Sequence, residues 1–411
     1  VSAIAPRLPY THPNNLKALK TVVSVGSPRR AASFKINPRA RAFRQAFFPD
    51  ATDDDWNDWR WQLRHSFRGL KALEGILHLS EDERGAMQLS RNSLPNSITP
   101  YYASLLDRAD ARQPLRRTMV MVNQEFVRTP EESVDPLSED SDSPVPGLVH
   151  RYPDRVLFLV IGRCPVYCRY CTRSRMVGSL EGDYEFSTAQ WERALDYIAR
   201  TPTIRDVLLS GGDPLLLSDD RLEWLLSRLR QIPHLEFLRI GSKVPAVLPQ
   251  RITPALTRML RRYHPLWMSL HFIHPDELTP EVEQACGRLA NAGVPLGSQT
   301  PLLAGINDGV EVCQRLFHGL LRCRVKPYYL YQADLVVGTS HFRTPVSKGL
   351  EIIEGLRGHT TGYAVPTYAI DVPGGGGKIP ILPGSQIPRD GDHIILRNYE
   401  GQQFRFPDPQ A

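Results

Sequence analysis

Three cysteines, Cys164, Cys168 and Cys171, stand at C-x3-C-x2-C spacing directly after the apolar run at residues 156–161. A buried strand ending there delivers three thiolates into one short loop. Three soft sulfur ligands suit an iron-sulfur cluster. A structural zinc site normally takes a fourth Cys or His nearby to close its tetrahedron, and the usual pairing of two C-x2-C units is absent. Three ligands leave one iron open. An open iron at a strand end is a place where a small molecule binds and is reduced.

Four glycines, Gly374 to Gly377, lead into Lys378. The nucleotide-binding loop G-x4-G-K-[ST] is excluded, because Val372 stands at its first glycine and Ile379 follows the lysine. A lysine on a flexible, close-approach backbone suits covalent attachment of pyridoxal phosphate (PLP), where an amine of lowered pKa is the nucleophile. Two further segments sit at the ends of apolar runs. Ser210, Gly211, Gly212 and Asp213 follow residues 207–209; paired glycines let a ligand approach the backbone, and Asp213 can accept from an ammonium group. His271 lies at the end of the run 267–272.

Elements must deliver these residues to one place. Apolar, β-rich runs at 156–161, 207–209, 237–240, 267–272, 294–296, 327–331 and 364–370 alternate with helical patterns at 188–199, 219–231, 254–263, 280–292, 310–321 and 346–355. That alternation predicts a parallel sheet covered by helices, either an α/β barrel or a doubly wound sheet. In both, chemistry belongs at the C-terminal ends of strands.

The net charge of +6 over 411 residues is unevenly placed. Residues 1–49 carry nine Lys or Arg and no acid, so the remainder sums to −3. This basic, Pro- and Ser-containing stretch reads as a poorly ordered arm, with no nucleic-acid-binding motif. From Asp50 helical patterns begin, with Thr52 as an N-cap ahead of three aspartates. Residues 130–146 read as an acidic, Pro-bounded connector. The expected organisation is an arm at 1–49, a helical region with its connector at 50–146, the α/β barrel at 147–372, and the lysine loop with a C-terminal segment at 373–411. No run reaches the ~18–20 apolar residues that span a membrane, and the scattered Cys286, Cys313 and Cys323 build no disulfide framework. A reducing cytoplasm is the expected setting.

The cysteine motif with Arg173, the segment 150–155 that begins His150, Arg151, Tyr152, the stretch 328–334 that ends in Asp334, the run 342–349 and the glycine-lysine loop 371–378 together resemble the lysine 2,3-aminomutase family of radical S-adenosylmethionine (SAM) enzymes. The resemblance covers about residues 54–398. It implies a partial (β/α) barrel of the radical SAM type with a helical N-terminal extension. It also implies a [4Fe-4S] cluster, SAM and PLP.

Carried over by position, Cys164, Cys168 and Cys171 match the cluster ligands and Lys378 the PLP lysine, with Arg151 and Tyr152 at the PLP site. Arg173 matches the arginine that grips the substrate carboxylate. Asp334 and Asp371 match the pair that holds the distal amino group of lysine, while Ser210, Gly211, Gly212, Asp213, His271 and Gln299 fall on the SAM side. The charges agree with these roles, since a guanidinium clamps a carboxylate and paired aspartates repel a dicarboxylic substrate such as glutamate.

The family's zinc-binding cysteines are not matched: Gly309 takes the place of one, and no Cys follows Cys323. No structural zinc is therefore expected. The implied activity moves an amino group from C2 to C3 of lysine, with a reducing donor such as flavodoxin or ferredoxin, in a homo-oligomer. Arginine as substrate, β-lysine formation for elongation factor P, and a non-catalytic iron-sulfur module are the alternatives.

Overall fold

The chain builds its main sheet strictly in sequence order. An antiparallel edge, β1 (Leu148–Tyr152), precedes seven parallel strands, β2 (Arg155–Ile161), β3 (Asp206–Gly211), β4 (Phe237–Ser242), β5 (Leu266–His271), β6 (Leu296–Leu302), β7 (Lys326–Gln332) and β8 (Thr367–Val372). A second antiparallel edge, β9 (Gly377–Pro380), completes it. A doubly wound sheet reverses strand order at its switch point. This one never reverses, so the two architectures left open by the sequence resolve into a partial barrel. Among the described residues β1 and β9 are not paired with each other.

The structure is a computed structural model that describes residues 34–89, 94–178, 186–384, 388–390, 393–398 and 400–407. These belong to one compact unit, Ala31–Ala411. Its main helices are α1 (Pro38–Phe47), α2 (Thr188–Arg200), α3 (Asp219–Arg230), α4 (Pro254–Leu260), α5 (Pro280–Asn291), α6 (Val310–Arg322) and α7 (Val346–Leu356). Ser187, Ser218, Thr253 and Thr279 cap α2 to α5 by accepting from the backbone at N3, which satisfies a donor that the helix itself leaves orphaned. Apolar residues at helical spacing then face the sheet, as Leu222, Leu225, Leu226 and Leu229 do on α3. Truncating one of these to Ala costs about 2–5 kcal/mol.

Three sequence expectations change. The arm drawn to residue 49 does not extend that far: α1 buries Ala40 and Phe43, and Asn37, its N-cap, donates from its backbone and side-chain amides to Glu281 on α5. Arg39, Arg41 and Arg44 made the segment look like a basic tail, while its apolar stripe was short enough to miss. Residues 1–33 lie outside the described residues. The strand placed at 294–296 begins at Leu296 and runs to Leu302, because its alternating burial includes Ser298 and Thr300, polar residues that broke the apolar run. The third change concerns residues 130–146. They are a strap whose Ser133 exchanges backbone hydrogen bonds with Leu335 and Val337, and whose Asp142 carbonyl accepts from His150 N–H.

The helical extension holds the cysteine loop in place. Thr52 forms a capping box with Asp55 at the start of Asp53–Asn57, and Trp56 is fully buried behind it. Farther on, buried Arg169 donates to both carboxylate oxygens of Glu125 and to the carbonyls of Leu94 and Pro95. The backbone amide of Arg169 reaches Thr118. The loop is thereby anchored between two of its cysteines.

Candidate active site

One cavity of about 1110 Å3 runs through the barrel. Every residue singled out from the sequence lines it: Cys164, Cys168, Cys171, Arg173, Arg151, Tyr152, Ser210, Gly211, Gly212, Asp213, His271, Gln299, Asp334, Asp371 and Lys378. Tertiary structure therefore gathers residues spread over more than half the chain.

The cysteine loop leaves β2 at its C-terminal end. Its three thiols are free, and burial raises the pKa of each. Repulsion adds to this, Cys164 feeling Cys171 and Cys171 feeling Cys168, and Cys171 is pushed up to about 11. Three half-buried thiols within electrostatic range need a compensating positive metal charge to ionise, which fits an iron-sulfur cluster. Among the described residues no group of three or more His, Cys, Asp or Glu is arranged to hold a single metal ion. A four-iron cube differs because it takes its thiolates at separate corners.

The glycine pair at the end of β3 lines the cavity and also packs closely against the end of β2 and the cysteine loop. A Cβ on Gly212 would lie 2.3 Å from the Arg163 carbonyl oxygen, and Gly211 has φ +117° with its Cβ position 2.4 Å from the Ile161 carbonyl oxygen. A side chain at either position would push the end of β2 or the start of the cysteine loop away. Asp213 is occupied: it accepts from Ser242 Oγ and from the amides of Leu215, Lys243 and Val244. Its carboxylate shapes the floor of the cavity. His271 and Gln299 sit side by side in register on β5 and β6. Burial, with Lys243 and Arg173 nearby, lowers His271 to about 4 and keeps it neutral.

At the other end, β8 and β9 pair with Asp371 opposite Lys378, and Lys378 Nζ hydrogen-bonds Asp371 Oδ2. Lys378 is thus carried on a short strand, with the glycines forming the turn before it. Its backbone N–H donates to Tyr152 Oη at 2.9 Å. A Cβ on Gly377 would come within 2.8 Å of that oxygen, at φ +76°. Arg155 covers the Tyr152 ring at 3.8 Å.

Asp334 lies half-buried two residues beyond β7 and accepts from Thr172 Oγ1 at 2.8 Å. Burial raises its carboxyl to about 6; Asp371 adds to the rise while Thr172, Lys378 and Arg173 oppose it. The two aspartates are therefore close enough to repel each other. Asp371 Oδ1 is buried without a hydrogen-bond partner, as is Tyr331 Oη beside the pair. An unpartnered acceptor costs about 1–3 kcal/mol, and a cationic ligand group would satisfy it.

Arg173 meets a residue that the sequence did not flag. Glu139, in the strap, accepts from Arg173 Nε and Nη2, and Asp142 accepts from Arg151 Nε at 2.7 Å. Burial works against Glu139's charge, yet Arg173, Arg175 and Arg151 outweigh it and hold the carboxyl below its ordinary range. The signal was there in the density of carboxylates between 132 and 142, but charge runs read as solvated surface. Thr172, Lys243 and Glu277 were missed too. Lys243 Nζ contacts buried Glu277 at 2.6 Å beside the cavity.

Comparison with known proteins agrees with this geometry. The Radical SAM superfamily profile matches residues 158–312, and the Lysine-2,3-aminomutase profile matches residues 353–411. An L-lysine 2,3-aminomutase of Fusobacterium nucleatum is 53% identical over 367 residues, covering 89% of this chain and 86% of that protein. Another, of Acetoanaerobium sticklandii, is 50% identical over 368 residues, 90% of this chain and 88% of that one. A glutamate 2,3-aminomutase of Clostridioides difficile is 41% identical over 362 residues, 88% of this chain and 85% of that one. With relatives this similar over most of its length, and with its cysteine loop, arginine, paired aspartates and lysine on one cavity, the chain belongs to the lysine 2,3-aminomutase family of radical SAM isomerases.

Proposed function

We propose that this protein moves the amino group of L-lysine from C2 to C3, giving β-lysine, with a [4Fe-4S] cluster, SAM and PLP. The observation that carries the choice of substrate is the half-buried pair Asp334 and Asp371, with one buried Asp371 oxygen unpartnered. The ammonium of Lys378 already rests on the other Asp371 oxygen, so a primary ammonium fits there. A second carboxylate in place of that cation would face two like charges in a low-dielectric cavity, which disfavours glutamate. The lysine aminomutases of Fusobacterium nucleatum and Acetoanaerobium sticklandii, at 53% and 50% identity, are more similar to the chain than the glutamate aminomutase of Clostridioides difficile at 41%.

Cys164, Cys168 and Cys171 would hold the cluster, and Lys378 would carry PLP near Tyr152. When bound, the cluster with SAM supplies a hydrogen-abstracting radical, and PLP supplies the carbonyl that carries the α-amino group and the conjugation that spreads an unpaired electron. The chain's own work is positional. Arg173 binds the substrate carboxylate, Asp334 and Asp371 hold the distal ammonium, and the stretch between is thereby fixed within the cavity walls. An external one-electron donor such as flavodoxin or ferredoxin, a homo-oligomer and a cytoplasmic location belong to the same reading. No helix among the described residues is long and apolar enough to cross a membrane.

Anaerobic incubation of the reconstituted enzyme with SAM, PLP, reductant and lysine, arginine or glutamate tests the proposal. β-Lysine is the expected product. Faster conversion of arginine or glutamate would reassign the substrate.

A further inference from the structure

We infer that Glu139 is a positioning residue for the substrate carboxylate: it grips one edge of the Arg173 guanidinium and so aims the other edge into the cavity. The inference rests on the assignment of Arg173 to that carboxylate. A guanidinium presents two bidentate edges, Nε with one terminal nitrogen and the two terminal nitrogens together. Glu139 occupies the first, with Oε2 3.0 Å from Nε and Oε1 2.6 Å from Nη2. Among the described residues Nη1 makes no hydrogen bond to protein, and the Arg173 side chain keeps 22% of its surface exposed. The Nη1–Nη2 edge is thus left for a second carboxylate.

Glu139 is itself held in place. It is 4% exposed and lies 3.8 Å from Arg175 Nη2, which also contacts Asp135 and Asp140 of the strap at 3.1 Å. The strap is pinned at one end to the segment beyond Asp334, through Ser133, Leu335 and Val337, and at the other to β1 through Asp142 and His150. Without Glu139, the flexible Arg173 side chain would lose the bidentate contact that fixes its plane. A fixed guanidinium loses less rotamer freedom when the ligand binds.

The test compares lysine with lysinamide, which lacks the carboxylate. Dissociation constants are measured by anaerobic calorimetry on enzyme loaded with cluster and PLP but without SAM, for wild type, Glu139→Ala, Glu139→Gln and Arg173→Gln. Retained iron-sulfur absorbance and melting temperature certify each fold. Where Glu139→Ala fails to fold, Glu139→Gln, which keeps the shape and one acceptor, carries the comparison. Wild type should prefer lysine, and Glu139→Ala should weaken lysine roughly tenfold, the scale of one charge-assisted contact, while lysinamide changes little. Arg173→Gln should abolish the preference. If it does and the Glu139 variants keep the wild-type ratio, or weaken both ligands equally, the positioning role is wrong and the Arg173 assignment stands. If Arg173→Gln keeps the preference, the Arg173 assignment itself falls, and the role of Glu139 with it.

Discussion

Thr172 Oγ1 donates a 2.8 Å hydrogen bond to Asp334 Oδ2, so the loop that presents the cysteines also holds a carboxylate delivered from the end of β7. Burial nevertheless raises the Asp334 carboxyl from 3.8 to about 6. Lysine affinity should therefore fall as the pH drops through about 6, where Asp334 takes up a proton, and Asp334→Asn should flatten that profile. Stability has the opposite sign. The folded state binds this proton more tightly than the unfolded chain does, so stability declines as the pH rises from 3.8 through about 6. Asp334→Asn should raise the melting temperature at neutral pH, and the gain should vanish in acid.

Replacing Cys164, Cys168 or Cys171 by Ala should remove the iron-sulfur absorbance and SAM cleavage, since on the proposed reading the cluster needs all three thiolates. Gly212→Ala should act on the same signal without touching a sulfur, because its methyl would meet the Arg163 carbonyl oxygen at 2.3 Å and displace the loop. A Gly212→Ala protein with a full cluster would show that the loop tolerates movement.

Lys378→Ala should lose the absorbance of lysine-bound PLP while the iron-sulfur spectrum persists. Its partner gives a control. Asp371→Asn removes the ion pair with Lys378 yet leaves the amine, so PLP should still attach. Unchanged absorbance in Lys378→Ala would move the PLP site to another residue.

Substrate choice should depend on both aspartates. Asp334→Asn and Asp371→Asn should each weaken lysine binding by ~1.5–3 kcal/mol, the usual worth of a charge-assisted hydrogen bond. Glutamate, repelled by the wild-type pair, should gain relative to lysine in both variants. Steady-state kinetics with lysine, arginine and glutamate measure this, and undiminished use of lysine would take the pair out of the site.

The helical extension has its own test. Arg116 and Glu83 are a buried pair with a bidentate fork at 2.8 Å and 2.6 Å, and the remaining Arg116 donors reach the carbonyls of His78, Asp107 and Arg108. Glu83→Ala leaves a buried guanidinium without its counter-charge and should destabilise the fold by about 3–5 kcal/mol, read by denaturant unfolding.

Local chemistry was written in the chain. The spacing of Cys164, Cys168 and Cys171 and the alternation of apolar runs with capped helices follow from near neighbours, because strand and helix periods and turn residues act over a few positions. Most of the barrel strands and helices fall where those patterns put them. Of the residues on the cavity, the cysteines, Lys378, the segment from Ser210 to Asp213 and His271 stood out by themselves, while Arg151, Tyr152, Arg173, Gln299, Asp334 and Asp371 were named by the resemblance to the family. Their partners were not. That Asp371 faces Lys378 is set by the β8–β9 register, and that Thr172 reaches Asp334 depends on how the cysteine loop folds over the end of β7. The strap shows the limit most sharply. A run of carboxylates looks like solvated surface until folding brings Arg151, Arg173, Arg175 and Arg343 against it, since charge pairing depends on distance in space and is blind to separation along the chain.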